Sequence, residues 1–240
     1  NGPRGALAAA IGLSLSGVRA TAFLSAADLA GAQDLLASAA GRHLPLVVHL
    51  SSRALAGHAS SMGSGHEACH VSADSGCFML FAANVQEAVD FTLIARRVAE
   101  QTLVPGLVIM DGEQTALALQ DVRLSGRELE KRYIGAPTDE VPSPSPAQKL
   151  LFGDRRRRVP RWYDPDRPVL LGGAQSTDSW GLGRAADQAF LGRHLGETLE
   201  QSLKEFAELT GRHHQAVSAH RTEDAEIVLV AQGAATETAE

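Results

Sequence analysis

The chain has 240 residues, a formal net charge of −6 and two cysteines. That length suits one large domain or two small ones with a full core. The acidic balance excludes general nucleic-acid binding, which needs a basic face, and two cysteines cannot build a disulfide framework. No apolar run reaches transmembrane length, and the first residues lack the order of a signal peptide, so a cytoplasmic location is the expectation.

From Ala6 to Ser16 the residues are small, apolar and glycine-spaced, as in a helix lying close on a sheet. Arg19 to Leu24 reads as a short strand. Ser25-Ala26-Ala27-Asp28 has the form of a capping box, with Asp28 at the position usually held by Glu or Gln, and opens a helix predicted over 27–40. Leu44 to Leu50 and Cys77 to Ala82 are strongly apolar strands. Asn84 caps a long helix to Glu100, with Val85, Ala88, Val89, Leu93, Ile94 and Val98 at helical spacing. Pro105 to Met110 is a buried strand that ends at Asp111-Gly112. This order predicts an α/β fold with a mostly parallel sheet covered by helices on both faces. In such sheets sites gather at the carboxyl ends of the strands, which here are the loops 51–76 and 111–115.

The middle of the chain is of another kind. Arg127 to Tyr133 reads as a short helix and Pro137 to Pro146 as a proline-rich linker or extended arm. The run Arg155-Arg156-Arg157-Arg158 is either a solvated loop or a patch for an anionic partner or acidic subunit surface. Tyr163 to Pro168 is a turn cluster. Arg184 to Leu209 reads as one long amphipathic helix closed by Gly211. Glu226 to Ala231 reads as a strand, followed by a glycine turn and a helix start, as a new α/β unit begins. The expected domains are therefore 1–222 and the start of a second α/β domain over 223–240.

His66-Glu67-Ala68-Cys69-His70 spells H-E-x-x-H, the zinc-hydrolase pattern. That chemistry needs a helix carrying both histidines and a third ligand. Gly65 and Gly76 bracket the run and favour a loop or a single helical turn. A zinc hydrolase, or an adventitious metal among His66, Cys69, His70 and Cys77, is the alternative that this motif raises.

The stretch Leu46 to Gly57 (LVVHLSSRALAG) resembles the "hvsARALA" segment of the pyruvate:ferredoxin and related 2-oxoacid:ferredoxin oxidoreductases. Ser60-Ser61 and His66 fall in step with that family's "SSIFGDHQD" loop, and Gly76 and Val85-Gln86-Glu87 with its "TGFALL…SVQE". Asp111-Gly112 and Thr115 match part of "FDGFRTSHE". Asp164 to Val169, with Gly172 and Ala174-Gln175, resembles "NPDHPVxRGTAQ", and Leu209-Thr210-Gly211-Arg212 resembles "ALTGRDY". Asp224-Ala225-Glu226 with Gly233 resembles "DAERVIIAMGS".

The resemblance implies the amino-terminal, pyrimidine-binding domain of a thiamine-diphosphate enzyme, followed by a domain like the transketolase carboxyl-terminal one. It implies oxidative decarboxylation of a 2-oxoacid to an acyl-CoA, with electrons passed to ferredoxin or flavodoxin. The cofactors implied are thiamine diphosphate with Mg²⁺, and iron–sulfur clusters and coenzyme A on other domains or subunits, in a homodimer. Two cysteines cannot themselves hold a four-cysteine cluster. Arg53 and His66 are the candidate catalytic residues, and the family's arginine matching Arg53 contacts the substrate carboxylate. A guanidinium fork suits a carboxylate; a structural ion pair is the other use of such an arginine.

The chain also departs from the pattern. The activating glutamate would fall at Pro3 or upstream of Asn1. Gly65 and Ala68 replace aspartates, Glu113-Gln114 replaces Phe-Arg, and Leu117-Ala118 replaces His-Glu. A non-catalytic homologue serving as a scaffold or interaction domain is the second reading.

Overall fold

The computed structural model describes residues 2–166, 173–190 and 192–240. The part of the Asp164–Gly172 resemblance from Arg167 onward therefore lies outside the described residues.

Four strands form one sheet: β1 (Thr21–Ser25), β2 (Val47–Ser52), β3 (Phe78–Ala82) and β4 (Gly106–Asp111). Their order is β1-β2-β4-β3 and every pairing is parallel. The expected α/β sheet is thus present. Its two central strands, β2 and β4, are buried on both faces, which is why they read as unbroken apolar runs. Edge strand β1 alternates exposed and buried residues, the mark of a half-covered strand.

One face of the sheet packs against α1 (Pro3–Leu15), α2 (Ala26–Ala30), α3 (Gln33–Gly41) and α4 (Glu67–Val71). Its core includes Leu7, Leu29, Leu36, Leu50 and Ile109. The other face packs against α5 (Val85–Thr102), α6 (Arg127–Ile134) and α9 (Leu195–Thr210), around Ile94, Val98, Val108, Tyr133 and Phe206.

Local signals set most element ends. Ser25 and Asp28 form the reciprocal capping box that the sequence predicts. The helix it opens stops at Gly31, however, and α3 restarts after Ala32, whose φ of −130° is not helical. Glycine is the weakest helix former after proline, and here it divides the predicted 27–40 helix. Asn84 caps α5 by accepting the amide N–H of Glu87 at 2.9 Å.

The basic run does not sit in a solvated loop. Residues Arg155–Arg157 form β6, paired antiparallel with β5 (Glu140–Pro142) and joined to it through α7 (Pro146–Phe152). Arg156 is buried, and its guanidinium donates to the carbonyls of Glu100 and Gln101 at 2.7 and 2.9 Å. Gln148 donates to the carbonyls of Gln101 and Thr102. These are the carbonyls that a helix end leaves without partners, and the positive charge also faces the negative end of the α5 dipole. The hairpin is therefore a cap for α5.

The predicted 184–209 helix is two helices. Thr177–Phe190 forms α8, a 3₁₀ turn follows at Gly192–His194, and α9 then runs to a left-handed cap at Gly211; Leu191 lies outside the described residues. Past that cap the chain turns back onto α5. Arg212 reaches the buried Asp90 carboxylate with two bonds of 2.7 and 2.8 Å, and His214 reaches it at 2.9 Å. Burial opposes a charge on His214, but the hydrogen bonds to Asp90 and Glu87 outweigh it and hold the imidazolium up to about 9.

The strand expected at Glu226–Ala231 does not form. Ile227, Val228, Leu229 and Val230 are exposed. Strand-forming residues need a neighbouring strand for their backbone groups, and none among the described residues pairs with them. The glycine turn and helix start that follow are present, as Gly233 with φ 66° and α10 (Ala235–Ala239).

Candidate active site

The carboxyl ends of β2 and β4 lie side by side, with Ser52 in register with Asp111. Each strand passes directly into the site. After β2 comes Arg53, whose backbone bridges to Ser64 and so closes the loop 53–64 on itself. After β4 comes Gly112, opening a single π-helical turn to Ala116.

Arg53 crosses over Gly112, and a Cβ at that glycine would collide with the arginine side chain. The only partner of the guanidinium among the described residues is Met62, whose sulfur accepts at 3.7 Å. No carboxylate among them pairs with it, so the structural ion pair considered for Arg53 is not formed. A cation at the end of a buried strand, without an anion, is an arrangement suited to an anionic ligand.

His66 stands on the other side of this end. It is the N-cap of α4 but has a non-helical ψ of 12°. Its Nε2 lies 2.6 Å from Oδ1 of the buried Asp111, and its Nδ1 lies 2.9 Å from Nε2 of Gln232. The ring also meets the edge of Phe81 at 5.1 Å between centroids. The loop is drawn in by Ser52, whose hydroxyl donates to the carbonyl of Gly65 at 2.6 Å. That approach explains one departure from the family pattern. A side chain at Gly65 would run into the backbone of Ala54, so the aspartate of the pattern has no room.

The zinc pattern does not assemble. Only the last of its histidines is inside α4, a helix of five residues, and His70 is exposed. His66 has both ring nitrogens engaged by Asp111 and Gln232. Among the described residues no group of three His, Cys, Asp or Glu is placed to hold a metal ion. Cys69 is buried with Ser52 Oγ at 3.6 Å, and burial raises both thiols, Cys77 to about 11; neither is poised as a thiolate.

Asp111 is the residue whose role the sequence did not announce. It is 3% exposed. One oxygen serves His66; the other accepts the backbone N–H of Ala234 at 2.7 Å. The segment 232–234, which carries the Gly233 match to the family, is thereby folded onto the strand ends. Asn84 adds a bond to Glu237 at 2.6 Å. The signals available in sequence were the Asp111-Gly112 match and the positive-φ glycine, but nothing local joins them.

The donor set has a definite chemistry. An exposed guanidinium, an imidazole and glycine-lined backbone fit a carboxylate-bearing substrate. Asp111 itself is not free to meet a pyrimidine ring, because both of its oxygens are already engaged. A cleft of about 660 Å³ opens elsewhere, between α9 and residues 213–217; its lining shares no residue with this cluster.

These strand ends belong to a known architecture. A solved 2-oxoglutarate:ferredoxin oxidoreductase from Magnetococcus marinus superposes with a TM-score of 0.51 over 85% of this chain and 36% of its own, at 14% identity. The fold is thus one shared with a 2-oxoacid:ferredoxin oxidoreductase. Residues 4–181 match the family model described as pyruvate flavodoxin/ferredoxin oxidoreductase, thiamine-diphosphate-binding. The chain belongs to that family.

Among curated relatives, the pyruvate-flavodoxin oxidoreductase of Trichormus variabilis is 31% identical over 83% of this chain and 15% of its own length. The pyruvate synthase subunit PorA of Thermotoga maritima is 31% identical over 97% of this chain and 55% of its own. The chain therefore spans from about a seventh to about half the length of these relatives. No helix among the described residues is long and apolar enough to cross a membrane.

Proposed function

We propose that this chain is the pyrimidine-side part of a thiamine-diphosphate-dependent oxidoreductase acting on pyruvate or a similar 2-oxoacid. The assembly cleaves the bond between the carboxylate and the 2-oxo carbon, passes the acyl group to coenzyme A and sends the electrons to ferredoxin or flavodoxin. Family membership and the names of the relatives support this reading. So does one observation above all: the Arg53 guanidinium waits at the end of β2 without an anionic partner.

Thiamine diphosphate, bound with Mg²⁺, supplies the nucleophilic carbon and the electron sink for decarboxylation. This chain's contribution is positioning. Arg53 takes the substrate carboxylate in a two-pronged contact. His66 lies at the same strand ends, with its Nδ1 open to a ligand once Gln232 is displaced. The lid of residues 232–234 and the loop 53–64 limit water at the strand ends. Iron–sulfur clusters and the coenzyme A site are assigned to other domains or subunits, the segment 223–240 to the start of a following domain, and the assembly to a cytoplasmic homodimer.

The test is titration calorimetry of thiamine diphosphate with Mg²⁺ into the full-length assembly, together with pyruvate-dependent viologen reduction, for wild type and Arg53→Ala. Loss of one charged, two-pronged contact is expected to raise the KM for the 2-oxoacid by about 100-fold, with cofactor affinity unchanged. A wild type that binds no cofactor and reduces no acceptor would replace this reading with a scaffold. The exchanges away from the family pattern at Gly65, Ala68, Glu113, Gln114, Leu117 and Ala118 favour the scaffold in that event.

A further inference from the structure

We infer that Asp111 is a positioning residue that fixes the tautomer of His66 and at the same time clamps the turn 232–234 which stops the other face of that ring. The inference rests on the reading of His66 as a site residue.

The argument starts from what each group can donate. A buried carboxylate in this geometry only accepts. The 2.6 Å contact from Asp111 Oδ1 to His66 Nε2 therefore places the ring proton on Nε2. The amide nitrogen of Gln232 only donates, so its 2.9 Å contact places a lone pair on Nδ1. The two partners thus select one tautomer, with the proton on Nε2 and the lone pair on Nδ1. The Asp111 side of this arrangement is buried and the Gln232 side is exposed. Release of Gln232 would offer Nδ1, already an acceptor, to a proton donor on a ligand at the strand ends.

The second Asp111 oxygen determines whether Gln232 stays. It accepts the Ala234 N–H at 2.7 Å. Gly233 sits at φ 66°, and a Cβ there would overlap the same carboxylate. Only glycine allows the turn to come this close. One carboxylate therefore orients the imidazole and holds its stopper, and residues 45 and 166 positions away from His66 act on it as one unit.

The experiment uses the full-length protein labelled with ¹⁵N in the histidine rings, with His66→Asn for assignment, and hydrogen exchange by mass spectrometry over 232–236. Wild type is expected to show His66 protonated at Nε2. Asp111→Asn can satisfy only one of its two donors as an acceptor, so it is expected to mix or invert the tautomer and to speed exchange at Ala234 at least 10-fold. Gly233→Ala is expected to speed the same exchange while leaving the tautomer in place, which separates the two roles and stands even if Asp111→Asn folds poorly. A wild-type His66 protonated at Nδ1, or unchanged exchange in Gly233→Ala, overturns the inference. So does an Asp111→Asn protein that keeps both signatures. None of these readings needs turnover, so failure of the oxidoreductase reading would be seen separately, as absent cofactor binding.

Discussion

Two buried aspartates in this molecule each hold a histidine, and they do opposite work. Asp90, on α5, is surrounded by Arg212 and His214, and Gln86 completes its shell at 3.0 Å. Among the described residues Asp111, at the end of β4, receives only His66 and a backbone N–H, and the nearby cation Arg53 has no carboxylate partner. Where the chain needs a joint, charge is neutralised inside it. At the strand ends, no carboxylate among the described residues neutralises the cation.

The strongest way to break this comparison is Asp90→Ala. It strands Arg212 and His214, both largely buried, without their anion. Removing one partner of such a group costs on the order of 3–5 kcal/mol. We expect the denaturant midpoint to fall accordingly and α9 to lose its hold on α5. A midpoint unchanged within 1 kcal/mol would mean that the joint lies elsewhere, in the Tyr133 and Phe206 contacts.

The same joint predicts a pH effect. The folded-state pKa of His214 is raised to about 9. A raised histidine contributes stability that is full below its unfolded value, near 6.5, and is lost as pH rises through about 9. For a side chain this buried the loss is roughly 2–3 kcal/mol. Asp90 is lowered, with burial opposed by His214 and Arg212, so its share disappears only in acid. Stability measured from pH 7 to 10 is expected to fall in wild type and to be flatter in His214→Phe. Parallel curves would remove His214 from the joint.

At the site, Gly65→Asp restores the family residue. Because its Cβ meets the Ala54 backbone, the substitution is expected to cost about 1–3 kcal/mol and to loosen the loop 53–64. If the protein instead gains stability, the loop has room that its closure on Ser64 denies.

These regions also differ in how far they could be read in advance. The sheet was legible because β2 and β4 are continuous apolar runs, and α5 because its cap and its 3.6-residue period agree. The place of Arg53 at a strand end was legible because one short segment carries it there. The Asp90 joint was not, since Arg212 follows it by 122 positions and only the left-handed cap at Gly211 brings them together. Arg156 misled for the same reason: four arginines in a row look solvated until the hairpin turns one of them into the end of α5. The 226–231 strand misled in the other direction. Its residues favour a sheet, but a strand exists only when a neighbour is supplied.

The smallest expected effect on stability gives the sharpest division between the two aspartates' surroundings. Arg53 has no carboxylate partner among the described residues, and among them its guanidinium bonds only the sulfur of Met62. Arg53→Ala is therefore expected to shift the unfolding free energy by less than about 0.5 kcal/mol. Its effect should fall on the 2-oxoacid KM instead. The contrast with Arg212→Ala is decisive, because that arginine is equally charged but already neutralised: it should lower stability by a few kcal/mol and leave the KM alone. If Arg53→Ala destabilises as Arg212→Ala does, then Arg53 is a second joint rather than a free cation, and the carboxylate clamp loses its physical basis.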